Sequence, residues 1–253
     1  MNKKEPCEGY VHSIFSGGMV DGPGIRTVVF LSGCPLRCLY CHNPDTWHLK
    51  SGTKYTADQV IREVAKYKNF YRHGGGVTIS GGEPFMQPEF LTAILKGCRE
   101  RGIHTAVDTS GYSCLTAADN ALQYISLLML DIKSFNPKTY KEITGVELNR
   151  TLDMLRMARA LHLPTWIRYV LVPGLTDNED EIRALATYLQ DFPNVKKIEI
   201  LPFHKHGAFK WEEQGRTFPL QDTPEPSAKA LQSARDILLQ VHRNQIFYDD
   251  FYQ

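Results

Sequence analysis

The sequence has no long hydrophobic run and no excess of charge of either sign. Its longest apolar run, Ile125 to Leu130, is broken by Ser126 and is far too short to cross a bilayer. The formal net charge is +1 at pH 7, which gives no support for binding to nucleic acid or to a membrane surface. Residues 1–6 lead into no apolar stretch, so no secretory signal is expected. We therefore expect a cytoplasmic protein, in which thiols stay reduced.

The six cysteines lack the paired spacing of a closed metal site. Three of them, Cys34, Cys38 and Cys41, form the run C-x3-C-x2-C. Structural zinc normally has four protein ligands, and the nearby candidate for a fourth, His42, is adjacent to Cys41 and awkwardly placed to share its metal. A [4Fe-4S] cluster held by three thiolates keeps one iron open to a substrate molecule. The spacing favours such a cluster, and zinc is the alternative.

Strand-like segments alternate with helical ones along the 253 residues. The predicted strands are 26–31, 76–80, 104–108, 127–132, 165–172 and 195–201. The predicted helices are 56–71, with a capping box at Thr56 and Gln59, then a helix from Pro88, and 116–123, 149–162, 178–190 and 226–243. This alternation implies a parallel sheet in an α/β fold. Six strands rather than eight favour a partial, open (β/α)6 barrel, a flat doubly wound sheet being the alternative. We expect a single domain over residues 1–253.

Unusual polar residues and glycines lie in or directly after each predicted strand. The cysteine run follows the first strand, and Arg168 lies within the fifth. The remaining positions are Gly81, Gly82 and Glu83 after the second strand, Asp108 and Thr109 at the third, Asp131, Ile132 and Lys133 at the fourth, and His204 after the sixth. In parallel α/β folds the carboxyl ends of the strands open on one edge, where ligands bind. We therefore expect these residues to converge on one site.

Each of these residues also has a purely structural interpretation. Asp131 and Lys133 are two apart on a strand, so they share a face and could form a salt bridge. Gly81 and Gly82 could make a tight turn. Asp108 could cap the next segment, and His204 alone could be a rim or core histidine. Their common location is what favours a functional site.

With these residues laid out, the chain resembles the radical S-adenosylmethionine (SAM) superfamily, and more narrowly the activating enzymes of glycyl radical enzymes. The resemblance covers nearly the whole chain. It rests on the signature from Gly22 to Cys34, on Cys38, Tyr40, Cys41 and Asn43, and on the segments 80–84, 131–133, 166–169 and 201–204.

The resemblance implies roles for individual residues. Cys34, Cys38 and Cys41 would hold a [4Fe-4S] cluster whose fourth iron binds SAM. Other SAM contacts would be made by Gly81, Gly82 and Glu83, by Asp131, Ile132 and Lys133, and by Tyr40, His42 and His204 near the adenosine. Asp131 and Lys133 would join the three cysteines in the catalytic set. A monovalent cation would lie near Asp108, Thr109, Met129 and Asp131, while Asp21 and Arg168 would meet the protein substrate.

The implied reaction is radical formation on a partner protein. The reduced cluster would cleave SAM, and the 5′-deoxyadenosyl radical would remove a Cα hydrogen from a glycine of the partner. Longer members carry a ferredoxin-like insertion with further cysteines, whereas no cysteine lies between Cys41 and Gly81 here. That difference favours the short type, which activates formate acetyltransferase, acts as a monomer and takes electrons from a flavodoxin or ferredoxin. Other glycyl radical enzymes, small molecules or RNA are alternative substrates, and an electron-transfer or zinc-stabilised binding protein is the non-enzyme alternative.

Overall fold

The computed structural model describes residues 6–71 and 74–241. Its strands are β1 Glu8–Gly18, β2 Arg26–Leu31, β3 Thr53–Thr56, β4 Gly76–Gly81, β5 His104–Thr109, β6 Leu127–Asp131, β7 Thr165–Leu171 and β8 Val195–Pro202. Its α-helices are α1 Ala57–Ala65, α2 Pro88–Glu100, α3 Leu115–Leu122, α4 Pro137–Thr144, α5 Asn149–Ala160, α6 Glu179–Leu189, α7 Ala208–Glu213 and α8 Ala228–Val241. Short 3-10 turns occupy Pro44–Thr46, Leu49–Ser51, Lys68–Phe70 and Pro84–Met86. None of the described helices is long and apolar enough to span a membrane.

The chain forms two compact units. The first contains the residues up to Pro35 together with Asp45–Met129, and the second contains Leu36–Pro44 together with the residues from Leu130 onwards. Strand β6 is divided between them after Met129, and the cysteine run is divided after Pro35. Cys34 therefore belongs to the first unit, whereas the other two cysteines of the run belong to the second.

In the first unit the strand order is β3-β1-β2-β4-β5-β6, which does not close on itself. β2 pairs parallel with β4, and β4 pairs parallel with β5. β1 runs antiparallel to both β2 and β3. Most residues of β2 and β4 are buried, because strands inside a parallel sheet are covered on both faces.

In the second unit the order is β6-β7-β8, and β7 and β8 are parallel. Along β7 buried and half-buried residues alternate. Ile167 and Tyr169 lie on the buried face, while Trp166 and Arg168 lie on the other. Trp166 and Arg168 lie opposite Lys197 and Glu199 of β8, respectively.

The six predicted strands are present, each within two residues of its predicted ends. The capping box of α1 is confirmed. The hydroxyl of Thr56 accepts from the backbone amide of Gln59, and the side-chain oxygen of Gln59 accepts from the backbone amide of Thr56. The helix ends at Ala65, however, and not at residue 71. The last two residues of the predicted final helix, and the aromatic and acidic segment 247–252, lie outside the described residues.

Two strands and two helices were missed among the described residues. β1 contains three glycines and two serines, so its sequence carries little strand signal, and its pairing with β2 and β3 determines its structure. β3 has four residues, and α7 has six. Helix α4 does carry a signal, since Asn136 caps it and Pro137 opens it.

Candidate active site

The amino-terminal end of the cysteine run is held by main-chain hydrogen bonds. The amide of Gly33 donates to the carbonyl of Thr46 (2.7 Å), and that of Cys34 donates to the carbonyl of Trp47 (3.1 Å). Cys34 is half-buried and is not part of a disulfide. Because β2 ends at Leu31, this arrangement sets Cys34 three residues beyond the carboxyl end of a buried parallel strand.

The turn after β4 packs directly against this end of the run. The amide of Gly82 donates to Leu31 (2.9 Å), and that of Glu83 donates to Gly33 (2.8 Å). Gly81 has φ +113°, and a Cβ on Gly82 would lie 2.3 Å from the carbonyl oxygen of Gly33. Both glycines are therefore required by backbone conformation and close approach, as the tight-turn interpretation predicts.

The carboxylate of Glu83 is fully buried and receives four hydrogen bonds. Its Oε1 accepts from the hydroxyl of Thr109 (2.6 Å) and the amide of Phe85 (3.2 Å). Its Oε2 accepts from the amide (2.9 Å) and the hydroxyl (2.5 Å) of Ser110. Burial raises the pKa of Glu83, and these four donors oppose that rise. The side chain thus ties the turn after β4 to the end of β5.

Two of the residues predicted to surround a cation, Asp108 and Thr109, have hydrogen-bond partners inside the first unit, whereas Asp131 pairs with Lys133 in the second. The hydroxyl of Ser80 donates to Asp108 (3.0 Å), and the hydroxyl of Thr109 accepts from the amide of Gly111 (2.8 Å). Met129 is almost fully buried. Among the described residues, no group of three or more His, Cys, Asp or Glu side chains could hold a metal ion.

Asp21 belongs to a different group of contacts. Its carbonyl accepts from the hydroxyl of Thr78 (2.6 Å), which in turn accepts from Nε of Arg26 (2.5 Å). The buried Arg26 also donates to the carbonyls of Pro23 (2.9 Å) and Val77 (2.5 Å). This group lies around the first residue of β2, so it is built separately from the network around Glu83.

The carboxyl-terminal end of the cysteine run, Leu36–Pro44, is docked on the end of α4. The amide of Arg37 donates to Thr144 (2.8 Å), and that of Leu39 donates to Ile143 (3.0 Å). The last carbonyls of a helix have no partner within the helix, which leaves them free to receive these bonds. The amide of Cys41 donates to the carbonyl of Cys38 (3.1 Å) and closes a turn between the two cysteines.

A positive charge lies beside this turn. Lys133 forms an ion pair with Asp131 (2.5 Å), and its Nζ lies 5.8 Å from the centre of the Tyr40 ring. Burial raises the pKa of Cys38 to about 12, while Lys133 acts against burial and favours the thiolate. Burial alone would lower the pKa of Lys133, but Asp131 and then Tyr40 and Cys38 outweigh burial and raise it. The predicted salt bridge is therefore confirmed.

Three histidines form a row of rings in the second unit. His42 stacks on His204 with ring centres 4.3 Å apart, and His204 contacts His206 at 4.2 Å. Nε2 of His42 lies 3.2 Å from the carbonyl oxygen of His204, so it carries the proton. Burial, and then His204, lowers the pKa of His42 to about 4, and burial also lowers that of His204. The His42–His204 pair is therefore an uncharged aromatic surface at neutral pH.

Arg168 lies in a cluster of charges between β7 and β8. Its Nε is 3.3 Å from Glu199, which also pairs with Lys197 at 2.8 Å. Lys197 lies 4.5 Å from the centre of the Trp166 ring. The main chain of Arg168 is tied to β6, since its carbonyl accepts from the amide of Ile132 (3.0 Å), whose side chain is fully buried.

A cavity of about 710 Å³ is lined by residues of β1, β3 and α1 and by the two residues that follow α1, and includes His12, Arg62 and Tyr67. It contains none of the predicted site residues, so this cavity and the predicted chemistry do not coincide. The predicted site residues instead form two groups. One group joins Cys34, residues 81–83 and Thr109, and the other joins Cys38, Tyr40 and Lys133 with Asp131, and His42 with His204.

Several residues that contact the predicted site residues were not predicted from the sequence. Ser110 follows Thr109 directly, and Lys197 and Glu199 occupy the strand positions opposite Trp166 and Arg168. Ser110 could have been predicted because it is adjacent to Thr109, and Lys197 and Glu199 could have been predicted from the register of β7 and β8. Trp211, whose indole donates to the carbonyl of Cys41, could not, because a contact 170 residues apart leaves no local pattern.

Comparison with known proteins assigns the family. Residues 28–186 match the model of the Radical SAM superfamily. The pyruvate formate-lyase-activating enzyme of Clostridium pasteurianum is 47% identical over 215 residues, which cover 85% of this chain and 90% of that protein. The enzyme of the same name from Listeria monocytogenes is 40% identical over 238 residues, covering 91% and 96%. The chain belongs to the radical SAM superfamily and, within it, to the pyruvate formate-lyase-activating enzymes.

Family membership fixes the cofactors and the class of reaction. The chain is an oxidoreductase that uses a [4Fe-4S] cluster and SAM to generate a radical and to activate a glycyl radical enzyme. The structure of Streptococcus suis SuiB bound to its precursor peptide SuiA aligns with a TM-score of 0.69 at 16% identity, covering 89% of this chain and 48% of that one. This likeness concerns the fold alone, and it confirms the predicted open barrel of the radical SAM type.

Proposed function

We propose that this chain activates formate acetyltransferase (pyruvate formate-lyase), with Cys34, Cys38 and Cys41 as the ligands of its cluster. The observation that carries the proposal is the C-x3-C-x2-C run of half-buried cysteines, none of them in a disulfide, in a member of this family. A cluster held by these residues would supply the electron for reductive cleavage of SAM, and the chemistry so provided would be removal of a Cα hydrogen from one glycine of the partner.

The positive charge beside Cys38 supports its proposed role as a ligand of the cluster. An iron ligand must be deprotonated, and the cation of Lys133 lowers the pKa of Cys38 against the effect of burial. Asp131 holds that cation in place through a 2.5 Å ion pair. The Asp131–Lys133 pair would then stabilise the thiolate of Cys38 and also contact the SAM molecule expected beside it.

In the first unit, the turn of Gly81, Gly82 and Glu83 is the proposed contact for the methionine part of SAM. The amides of Gly82 and Glu83 already donate to the main chain of residues 31–33. An amino group of the ligand would therefore be met by carbonyl oxygens of the turn. Since the Glu83 carboxylate already accepts four hydrogen bonds within the protein, its role is to hold the turn while the backbone makes the contact.

In the second unit, the uncharged pair of His42 and His204 is the proposed surface for the adenine ring. Flat aromatic groups stack on one another, and a neutral imidazole pair loses no charge solvation when it is covered. Tyr40, whose ring is 5% exposed, would border the same ligand beside Lys133. Ile132 would contribute through its main chain, because its side chain is fully buried.

The remaining assignments complete the proposal. A monovalent cation would be bound by Asp108, Thr109, Met129 and Asp131, and Asp21 and Arg168 would meet the protein substrate. A flavodoxin or ferredoxin would supply electrons, because no cysteine lies between Cys41 and Gly81 to hold a second cluster in an insertion. We propose that the chain works as a single-domain monomer in the cytoplasm.

Anaerobic reconstitution followed by activation of the partner tests this proposal. The reduced protein should bind four irons, change its electron paramagnetic resonance spectrum when SAM is added, and produce a glycine-centred radical in formate acetyltransferase. Cys38→Ala should abolish all three results, whereas Cys114→Ala, at an exposed cysteine outside the run, should leave them intact. SAM cleavage without a radical on formate acetyltransferase would replace this partner with another glycyl radical enzyme, a small molecule or RNA.

A further inference from the structure

The short helix α7 and the residue before it contact the end of the cysteine run through three residues. They are Gly207 before the helix, and Lys210 and Trp211 within it. We propose that α7 is a clamp that fixes the segment Cys41–Asn43, and that Gly207, Lys210 and Trp211 are positioning residues for the cluster ligand Cys41 and the ring of His42. This inference rests on the proposed function, because it takes Cys41 as a ligand.

Trp211 holds the main chain of Cys41 directly. Its indole N–H donates to the carbonyl oxygen of Cys41 at 2.8 Å. The indole is 5% exposed and packs edge-on against Phe218, with ring centres 5.7 Å apart. Phe218 in turn stacks on Phe203 at 6.4 Å. The donor is therefore fixed by packing, and removing it would leave a carbonyl of the ligand residue without this bond.

Lys210 holds the other end of the segment. Its Nζ donates to Oδ1 of Asn43 at 2.8 Å in a partly buried position. Asn43 lies two residues beyond Cys41, so the two side chains of α7 bind both ends of a three-residue stretch. His42, between them, is the residue that stacks on His204.

Gly207 sets how closely the helix approaches this stretch. A Cβ at this position would lie 2.6 Å from Cα and 3.0 Å from the carbonyl oxygen of His42. These are backbone atoms, which cannot turn aside as a flexible side chain can. The glycine is needed here for close approach, since its φ of −91° is open to any residue.

These contacts reach the cluster ligand through its backbone and do not supply a donor atom. Groups that orient metal ligands from behind typically change metal affinity by about 10- to 100-fold when removed. A six-residue helix has little stability of its own, so α7 depends on the packing of Trp211 for its place. The expected consequence of losing the clamp is a cluster that forms but is released faster.

The test compares matched variants after anaerobic reconstitution. Trp211→Phe removes the indole donor and keeps a buried ring, while Phe218→Leu disturbs the same packing and keeps the donor. Lys210→Met removes the bond to Asn43, while Lys205→Met removes a nearby lysine that donates to the carbonyl of Gln221. The readouts are iron bound per chain, the rate at which iron passes to a chelator, and the resonance spectrum with and without SAM.

We expect Trp211→Phe and Lys210→Met to bind four irons but to lose them about tenfold faster than the wild type. Their spectra should respond less to SAM, and Lys210→Arg should restore the wild-type rate. Phe218→Leu, which loosens the packing but keeps the donor, should lose iron at an intermediate rate, and the control Lys205→Met should lose it at the wild-type rate. Wild-type rates in both test variants, with a clusterless Cys41→Ala, would overturn the clamp and leave the proposed function intact. A normal cluster in Cys41→Ala would instead overturn the ligand assignment. Should Trp211→Phe fail to fold, Lys210→Met decides the matter.

Discussion

The two ends of the cysteine run are held in different ways. Around Cys34 the contacts are main-chain hydrogen bonds and one fully buried carboxylate, Glu83. Around Cys38 and Cys41 main-chain hydrogen bonds are joined by an ion pair, stacked rings and side chains of α7. Substitutions in the first region should therefore cost mainly stability, whereas those in the second should cost mainly affinity for cluster and SAM.

The cysteines themselves should give the largest effect in both regions. Cys34→Ala and Cys38→Ala should each reduce SAM cleavage by more than about 100-fold, because two thiolates cannot hold a competent cluster. Iron content and the resonance spectrum after anaerobic reconstitution provide the measurement. If either variant still cleaved SAM at the wild-type rate, its region would not be part of the site.

Glu83→Gln should give the next largest effect, and it should appear as lost stability. The side chain of this variant would place its NH2 group against N–H and O–H donors that bond to a carboxylate oxygen in the wild type. We expect this to lower the free energy of unfolding by about 3 kcal/mol. For a chain of this length that lowers Tm by about 6–12 °C. Thermal unfolding measures it.

Glu142→Gln is the matched control, because that residue of α4 is exposed, and it should leave Tm unchanged. If Glu83→Gln also left Tm unchanged but abolished SAM binding, the carboxylate would be a ligand contact. That outcome would contradict the separation between the two regions.

Asp131→Ala should lower affinity more than stability. It removes the counter-ion that holds the Lys133 cation beside Cys38, so the pKa of Lys133 should fall towards its ordinary value. We expect normal iron content, a Kd for SAM about tenfold higher, and a loss of stability smaller than that of Glu83→Gln, because the side chains of this pair are partly exposed (14% and 19%). Titration with SAM, followed by resonance spectroscopy, gives the Kd.

Asp153→Ala removes an exposed ion pair with Arg156 and should leave the Kd for SAM unaltered. A loss of iron from Asp131→Ala, with SAM affinity unchanged in the iron-loaded fraction, would assign the pair to the cluster alone.

Much of this architecture was predictable from sequence, because the parallel strands are strongly apolar and the helices around them carry ordinary end signals. The capping box at Thr56 is one such signal. The location of Glu83, Asp131 and Lys133 at strand ends was also accessible. The four donors around Glu83 and the bond from Trp211 to Cys41 were not, since they depend on packing between segments far apart in the chain.

The smallest predicted effect is a pH dependence in the first unit. Burial, and then Arg26, lowers the pKa of His104 to about 4. An unfolded histidine has a pKa of about 6.5, so the unfolded state takes up a proton first as the pH falls. The contribution of neutral His104 to the stability of the folded state is complete above pH 6.5, and it is lost as the pH falls from 6.5 to about 4.

His104→Gln keeps an acceptor for Arg26 and removes this titration. Between pH 7 and pH 5 the variant should lose about 1–2 kcal/mol less stability than the wild type, as measured by urea unfolding. His48→Gln, at an exposed histidine, should follow the wild type. Equal losses in all three proteins would show that His104 does not titrate in this range.

Isotope transfer tests the central claim most directly. Formate acetyltransferase carrying deuterium on the α-carbons of its glycines is mixed anaerobically with the reduced protein and SAM. The account predicts 5′-deoxyadenosine that contains one deuterium for each glycine-centred radical formed. Unlabelled 5′-deoxyadenosine, released while the partner gains no radical, would contradict it.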